Sequence, residues 1–166
     1  VAALFAVFLA VSLYTWIPGV VMSALNHPRQ RGPYTVSEPA AELHRSLTIA
    51  DLHCDSLFWP RNLLARSSRG LLDAPRLIEG NVALQCFSAQ TYMPLLFSLK
   101  NTGSPPDVMA PIAFFHGWPA ATWFSPRERA LYMAGLLDKY AQRAEGRFTV
   151  IHMREDLERY LERRKS

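Results

Sequence analysis

The sequence predicts an α/β chain behind an apolar N-terminal helix, and three observations carry that expectation. Residues Val1 to Leu25 contain no charged side chain. Two apolar runs of strand length, Leu47 to His53 and Asn81 to Ala89, are separated by short helical segments. A third, Arg147 to His152, follows an amphipathic helix. Strands joined by helical crossovers pair parallel.

The first segment is long enough to cross a bilayer, which takes about 20 apolar residues. Tyr14 and Trp16 suit a membrane interface, although they sit mid-run, and Pro18-Gly19 is expected to kink or end a helix. A secretory signal peptide is the rival reading, with Ser23-Ala24 a weak cleavage site. Both deliver the rest of the chain to a membrane, and an uncleaved anchor is favoured. Arg29 and Arg31 would favour the cytoplasm on their side of it. Residues 1–25 thus read as an anchor or signal, 26–46 as a linker with a short helix, and 47–166 as the folded part.

Within the linker, Ser37-Glu38-Pro39 starts a helix over Ala40 to Leu47. Between the first two strands, Trp59 to Leu64 and Pro75 to Ile78 read as helical turns. Tyr92 to Pro111 carries Pro94, Gly103, Pro105, Pro106 and Pro111 and reads as a long irregular loop. Ile112 to Trp123 could be helical, interrupted by Gly117 and Pro119. Ser125-Pro126-Arg127-Glu128 is a helix start with Pro in the first turn. That helix runs to about Glu145, with Ala130, Leu131, Ala134, Leu137 and Tyr140 on one face. Arg154 to Arg164 is a charged closing helix. Three strands do not complete a parallel sheet that buries both faces. The chain stops at Lys165-Ser166, where a fourth strand is due, so the reading is of a fragment.

The net charge of +4 and pI near 9.3 raise the question of a polyanionic partner. Arg and Lys are scattered, and the C-terminal segment mixes both signs as a solvated helix face does, so no nucleic acid is expected. Cys54 and Cys86 stand alone, outside any Cys/His ligand spacing, and read as two buried thiols; a bond between them is left open.

The residues that carry chemistry are Asp51-Leu52-His53-Cys54-Asp55-Ser56. His53 and Asp55 are two apart at a strand end, so their side chains leave the same face. An imidazole and a carboxylate converging there can hold a divalent cation. From spacing alone, a structural His–Asp hydrogen bond accounts for the pair at least as well, and two ligands do not complete a zinc site.

Ile49 to Leu57 resembles the first-strand motif of the membrane dipeptidase (renal dipeptidase-like) family of zinc metallopeptidases, in which Asp/Gly-x-His-x-Asp-x-Leu opens the barrel. The resemblance continues through Asp73-x-Pro75-Arg76-Leu77 and Gly80-Asn81-Val82-Ala83-Leu84-Gln85-Cys86-Phe87-Ser88, which is similar to the family's second-strand signature. Trp118-Pro119-Ala120-Ala121-Thr122-Trp123 and the closing helix, strand and helix also fit bacterial members, so the likeness runs from about Leu47 to the end.

The resemblance implies the first strands of an incomplete (β/α)8 barrel and a hydrolase that cleaves dipeptides with two zinc ions. His53 and Asp55 would bind one metal, and Gln85 is a candidate to support the ligands from behind. A bridging Glu in a Gly-x-Glu-Gly motif, two later His and the catalytic residues are expected beyond Ser166, and the fragment is expected to be inactive alone. The protein would be membrane-anchored or secreted, with an extracytoplasmic catalytic domain. His152 and His116 read as structural or surface histidines. Two alternatives stand beside this one: a membrane-tethered, non-catalytic binding domain, and another metal-dependent hydrolase of the amidohydrolase type.

Overall fold

A computed structural model describes residues 2–27, 33–95 and 105–165 of the chain. Helix α1 (Ala2–Leu25) runs unbroken through Pro18-Gly19. Proline removes one ladder N–H, that to Tyr14 O, and the remaining turns hold. Side-chain hydroxyls bond backward along the helix, Thr15 Oγ1 to Val11 O at 3.0 Å and Ser23 Oγ to Gly19 O at 2.7 Å. The expected break at Pro18 is therefore absent. By length and composition α1 could span a membrane or act as a signal sequence.

Helix α2 (Glu38–Ser46) begins after Ser37, with Pro39 in its first turn, as its sequence predicts. Strand β1 (Ile49–Cys54) and strand β2 (Val82–Phe87) pair in parallel, Ile49 with Val82, Asp51 with Gln85 and Cys54 with Phe87. This two-stranded parallel sheet with helical connections is a mixed helix–strand fold consistent with the α/β class. β1 is largely uncovered, and Leu52 at its centre is 78 % exposed.

The crossover from β1 to β2 is built by the motif residues themselves. Asp73 caps helix α3 (Ala74–Glu79): its Oδ1 accepts from Arg76 N at 3.1 Å, and Pro75 lies in the first turn. Asp73 is buried, and its other oxygen accepts from Ser67 N and from the Arg76 guanidinium. Asn81, the residue that leads into β2, has φ +52°, a left-handed conformation that Asn tolerates better than most residues. Its amide donates to His44 O at 2.8 Å and Leu47 O at 2.9 Å, and its Oδ1 accepts from Arg164. One side chain thereby joins the end of α2, the start of β2 and the last helix.

Trp59 to Leu64 is not helical. The turn instead falls earlier, as a 3₁₀ segment Ser56–Phe58, because Pro60 forces Trp59 into extended backbone (φ −91°, ψ 136°). Tyr92 to Pro111 is irregular where described, with an isolated bridge between Pro94 and Asp107, and residues 96–104 lie outside the described residues. Helix α4 (Met109–Phe115) starts inside that stretch, with Pro111 tolerated in its first turn, and a second 3₁₀ segment spans Ala120–Thr122. Helix α5 (Pro126–Arg143) is capped by Ser125, whose Oγ accepts from Glu128 N at 3.2 Å.

The core gathers Leu57, Phe58, Leu63, Met109, Ala113, Trp118 and Met133, so it lies where the turn after β1 meets α4 and α5. The buried face of α5 differs from the one its apolar pattern predicts. Leu131 and Ala134 are exposed, whereas Arg129 and Met133 are buried and Tyr132, Leu136, Leu137 and Tyr140 pack on the core. The face turns because Arg129 is drawn inward by acceptors in the loops around it.

The expected third strand, Arg147 to His152, does not form. It passes close to β2, with the Phe148 and Phe87 rings 6.3 Å apart, but makes no ladder. The Ala83 carbonyl of β2 is taken by the Tyr160 hydroxyl, at 2.8 Å, from helix α6 (Arg154–Lys165).

Candidate metal centre

β1 ends at Cys54, and the next residue, Asp55, turns into the 3₁₀ segment. His53 Nε2 and Asp55 Oδ2 are 3.2 Å apart on the solvent side of this turn. Their side chains are 72 % and 48 % exposed, so a ligand arriving from water reaches both without displacing protein. The pair is held from three directions. Asp51 Oδ1 accepts from His53 N at 3.1 Å, which fixes the strand backbone. From the end of β2, the Ser88 hydroxyl donates to Asp55 Oδ1. Ser88 N donates to Cys54 O at 2.9 Å, extending the β1–β2 pairing to the residue that carries the hydroxyl. One carboxylate oxygen is thus engaged by the protein, and the other faces the imidazole.

The donor set suits a borderline divalent cation, one imidazole nitrogen and one carboxylate oxygen. It supplies two ligands, where zinc takes three or four from protein in structural and most catalytic sites. Among the described residues, no group of three or more His, Cys, Asp or Glu side chains comes together.

Gln85 is half-buried and pairs with Asp51 in the sheet. Its Nε2 lies 3.1 Å from Cys86 O and 3.5 Å from Asp51 O, and its Oε1 is a buried acceptor without a protein donor. Its amide therefore bonds the strand backbone next to the pair rather than His53 or Asp55. The residue that does support Asp55 is Ser88, the last residue of the second-strand signature. Its signal lay in the pairing itself, since the residue after Phe87 must face the residue after Cys54.

The other histidines lie elsewhere. His116 Nδ1 donates to Phe58 O at 2.9 Å, and its ring sits among Phe58, Trp59 and Trp118. Burial holds its pKa below the usual imidazole value, and the bond to Phe58 offsets part of that. His152 pairs with Asp138 at 3.3 Å on the surface. Both are structural contacts. Cys54 and Cys86 are free, and Cys86 is exposed rather than buried. It is the one exposed residue of the otherwise half-buried β2, against the usual preference of thiols for the interior.

A second polar centre has no counterpart in the sequence reading. Arg129, 1 % exposed, donates Nε to Thr122 O at 2.7 Å, and Nη1 to Thr91 O at 2.6 Å and Asp107 Oδ2 at 2.5 Å. Its Nη2 donates to Trp123 O. Burial alone would push the Asp107 pKa up; hydrogen bonds from Arg129, Met109 N and Met93 N outweigh it and hold the carboxyl below its ordinary value. Arg129 thus joins Thr91, Asp107, Thr122 and Trp123, and the centre staples these parts of the fold together.

No family model, curated protein or solved structure matches the chain.

Proposed function

We propose that this chain carries the opening strands of a zinc-dependent dipeptidase of the (β/α)8 class, held at a membrane by α1. The observation that carries this reading is the convergence of His53 Nε2 and Asp55 Oδ2, 3.2 Å apart, at the C-terminal end of a parallel strand. In parallel α/β barrels that end of the strands is where active sites are built. The uncovered apolar β1, with Leu52 exposed, fits a strand that belongs to a larger sheet, since parallel strands are ordinarily buried on both faces. The resemblance of Ile49–Leu57 and Asp73–Ser88 to the family's motifs supplies the substrate class, dipeptides, and the expectation of two zinc ions.

In this reading His53 contributes a neutral imidazole nitrogen and Asp55 an ionised oxygen, while Ser88 holds the carboxylate rotamer so that little freedom is lost on binding. A bound zinc ion would supply an acidified water and a polarised carbonyl. The third and fourth ligands and the general base must come from outside the described residues. Catalysis would face the extracytoplasmic side.

A second reading is favoured by one specific observation: the His53–Asp55 separation is also that of an ordinary hydrogen bond. In that case the pair is structural, and the chain is a membrane-tethered binding domain. A metal-dependent amidohydrolase-type enzyme with another substrate would share the pair but not the likeness around Asp73–Ser88.

Two measurements decide between them. Zinc content and hydrolysis of Gly-D-Ala are measured for the protein as expressed from its gene and for its His53→Ala variant. The enzyme reading expects loss of activity together with bound zinc; unchanged metal content would sink it. The 166-residue chain alone, with two ligands, is expected to turn over Gly-D-Ala no faster than free zinc does.

A further inference from the structure

The last two turns of α1, with Asn26, are oriented the reverse way for a helix docked in water. Gly19, Met22, Ser23 and Asn26 are half-buried, and their spacing of three, four and seven places them on one side of the helix. Val20, Val21, Ala24 and Leu25 lie on the other side and are exposed. A helix packed on a protein in water turns its apolar stripe inward and its polar residues out. Here the inner side carries the small and polar residues, and the outer side is apolar throughout.

The loop that precedes Asp73 meets this segment at two points. Arg69 Nη1 donates to Gly19 O at 3.4 Å, and Gly70 N donates to Asn26 O at 2.7 Å. Leu25 and Leu71 therefore flank the two partners of one hydrogen bond, and they are 70 % and 78 % exposed. Arg61 Nη1 holds the loop from behind by donating to Arg69 O at 2.9 Å. Arg66 is paired with Glu79, whereas Arg69 is exposed and has no acidic partner among the described residues.

Charge decides what such a surface fits. Residues 1–37 and 56–72 contain no Asp or Glu, so all 14 acidic residues lie in other parts of the chain, while Arg61, Arg66 and Arg69 fall within the second stretch. An apolar patch whose nearby charges are arginines complements a layer of acyl chains under anionic headgroups. The patch is also continuous with α1, which by length and composition could enter a membrane.

We propose that the outer side of residues 19–26 and the loop Ser67–Leu71 together form a docking surface for an anionic phospholipid bilayer. Val20, Val21, Leu25 and Leu71 enter the acyl boundary, and Arg69 meets the headgroup phosphates. The body is thereby held on the bilayer by a loop of its own as well as by the anchor. This rests on the reading that α1 meets a membrane and is independent of zinc.

The test separates the loop from the anchor. Leu71→Cys and, as a reference, Met153→Cys are made in the full chain carrying Cys54→Ser and Cys86→Ser, and each is labelled with an environment-sensitive fluorophore. Met153 is 59 % exposed and its N–H bonds the Asp156 carboxylate, so an anionic surface repels its surroundings. Flotation with phosphatidylcholine–phosphatidylglycerol vesicles reports binding, and emission with quenching by lipids brominated near the headgroups reports contact. The label at position 71 should shift to the blue and be quenched, and the label at 153 should stay aqueous. Arg69→Gln should lower the ratio of lipid-bound to free loop about fivefold, the worth of one arginine at an anionic surface, and vesicles of phosphatidylcholine alone should lower it too. Protein that floats while position 71 stays aqueous overturns the docking surface and leaves the anchor reading standing; failure to float overturns both. Equal responses at 71 and 153, or a loop response indifferent to phosphatidylglycerol and to Arg69→Gln, also overturn the proposal.

Discussion

The carboxylate of Asp107 and the guanidinium of Arg129 meet at 2.5 Å, with Arg129 1 % exposed and Asp107 26 % exposed at the edge of the site. Asp107 precedes α4, Arg129 lies in the first turns of α5, and Thr91 follows β2, so the guanidinium ties three parts of the chain that share no secondary structure. Arg129→Met removes the charge and leaves three carbonyls and a carboxylate short of donors. Loss of one partner of a buried pair costs about 3–5 kcal/mol. Urea unfolding followed by circular dichroism should show a loss of that order, and Asp107→Asn, which keeps an acceptor, a smaller one. A change below about 1 kcal/mol for Arg129→Met would show that water replaces its bonds.

Acid should weaken the fold in two stages. His116 is held below the ordinary imidazole pKa, so its contribution is full above about 6.5 and is lost as pH falls through the lowered value. Asp107 is likewise depressed, so its contribution is full above the ordinary carboxyl pKa and is lost at still lower pH. His116→Asn, which can still offer an N–H to Phe58 O, should flatten the first loss of stability as pH falls below about 6.5. Asp107→Asn should flatten only the more acidic part. A wild-type stability that does not begin to fall below about pH 6.5 would contradict the first assignment.

Asn81 combines a left-handed backbone with three bonding roles. Asn81→Gly keeps the backbone and loses the amide; Asn81→Ala loses both. The alanine variant should therefore be less stable than the glycine variant by about 1 kcal/mol, the cost of a β-carbon at positive φ. Thermal melts of the two variants measure this directly, and equal melting points would mean that the backbone relaxes.

Ser88 should tune cation binding without touching the cation. Partners that hold a ligand typically change metal affinity about 10- to 100-fold when removed. Zinc titrations followed by the His53 ring resonances should show weaker binding in Ser88→Ala and weaker still in Asp55→Asn. His53 shifts that ignore both substitutions would separate the imidazole from the carboxylate and count against a shared site.

The sequence made the parallel β1–β2 pair, the Ser125 cap and the helical crossovers legible, because apolar runs and cap residues act locally. The convergence of His53 with Asp55 was also legible, since a two-residue step returns to the same side of a strand. Other features escaped for identifiable reasons. Arg147–His152 has the composition of a strand, but pairing is a tertiary event, and the Tyr160 hydroxyl occupies a β2 carbonyl there. The apolar stripe on α5 placed Leu137 and Tyr140 on the core but also put Leu131 and Ala134 there in place of Arg129 and Met133, because a charged residue, Arg129, finds enough acceptors to be buried. Pro18 reads as a helix breaker, yet a single missing N–H does not divide a helix of 24 residues.

Leu52 turns the uncovered strand into a question of self-association. Among the described residues β1 pairs only with β2, so its outer edge has no strand partner and carries an exposed apolar side chain. Such an edge is a template for another copy's strand. Light scattering should therefore grow with concentration even in detergent that satisfies α1, and Leu52→Lys should suppress it while the His53–Asp55 geometry stays intact.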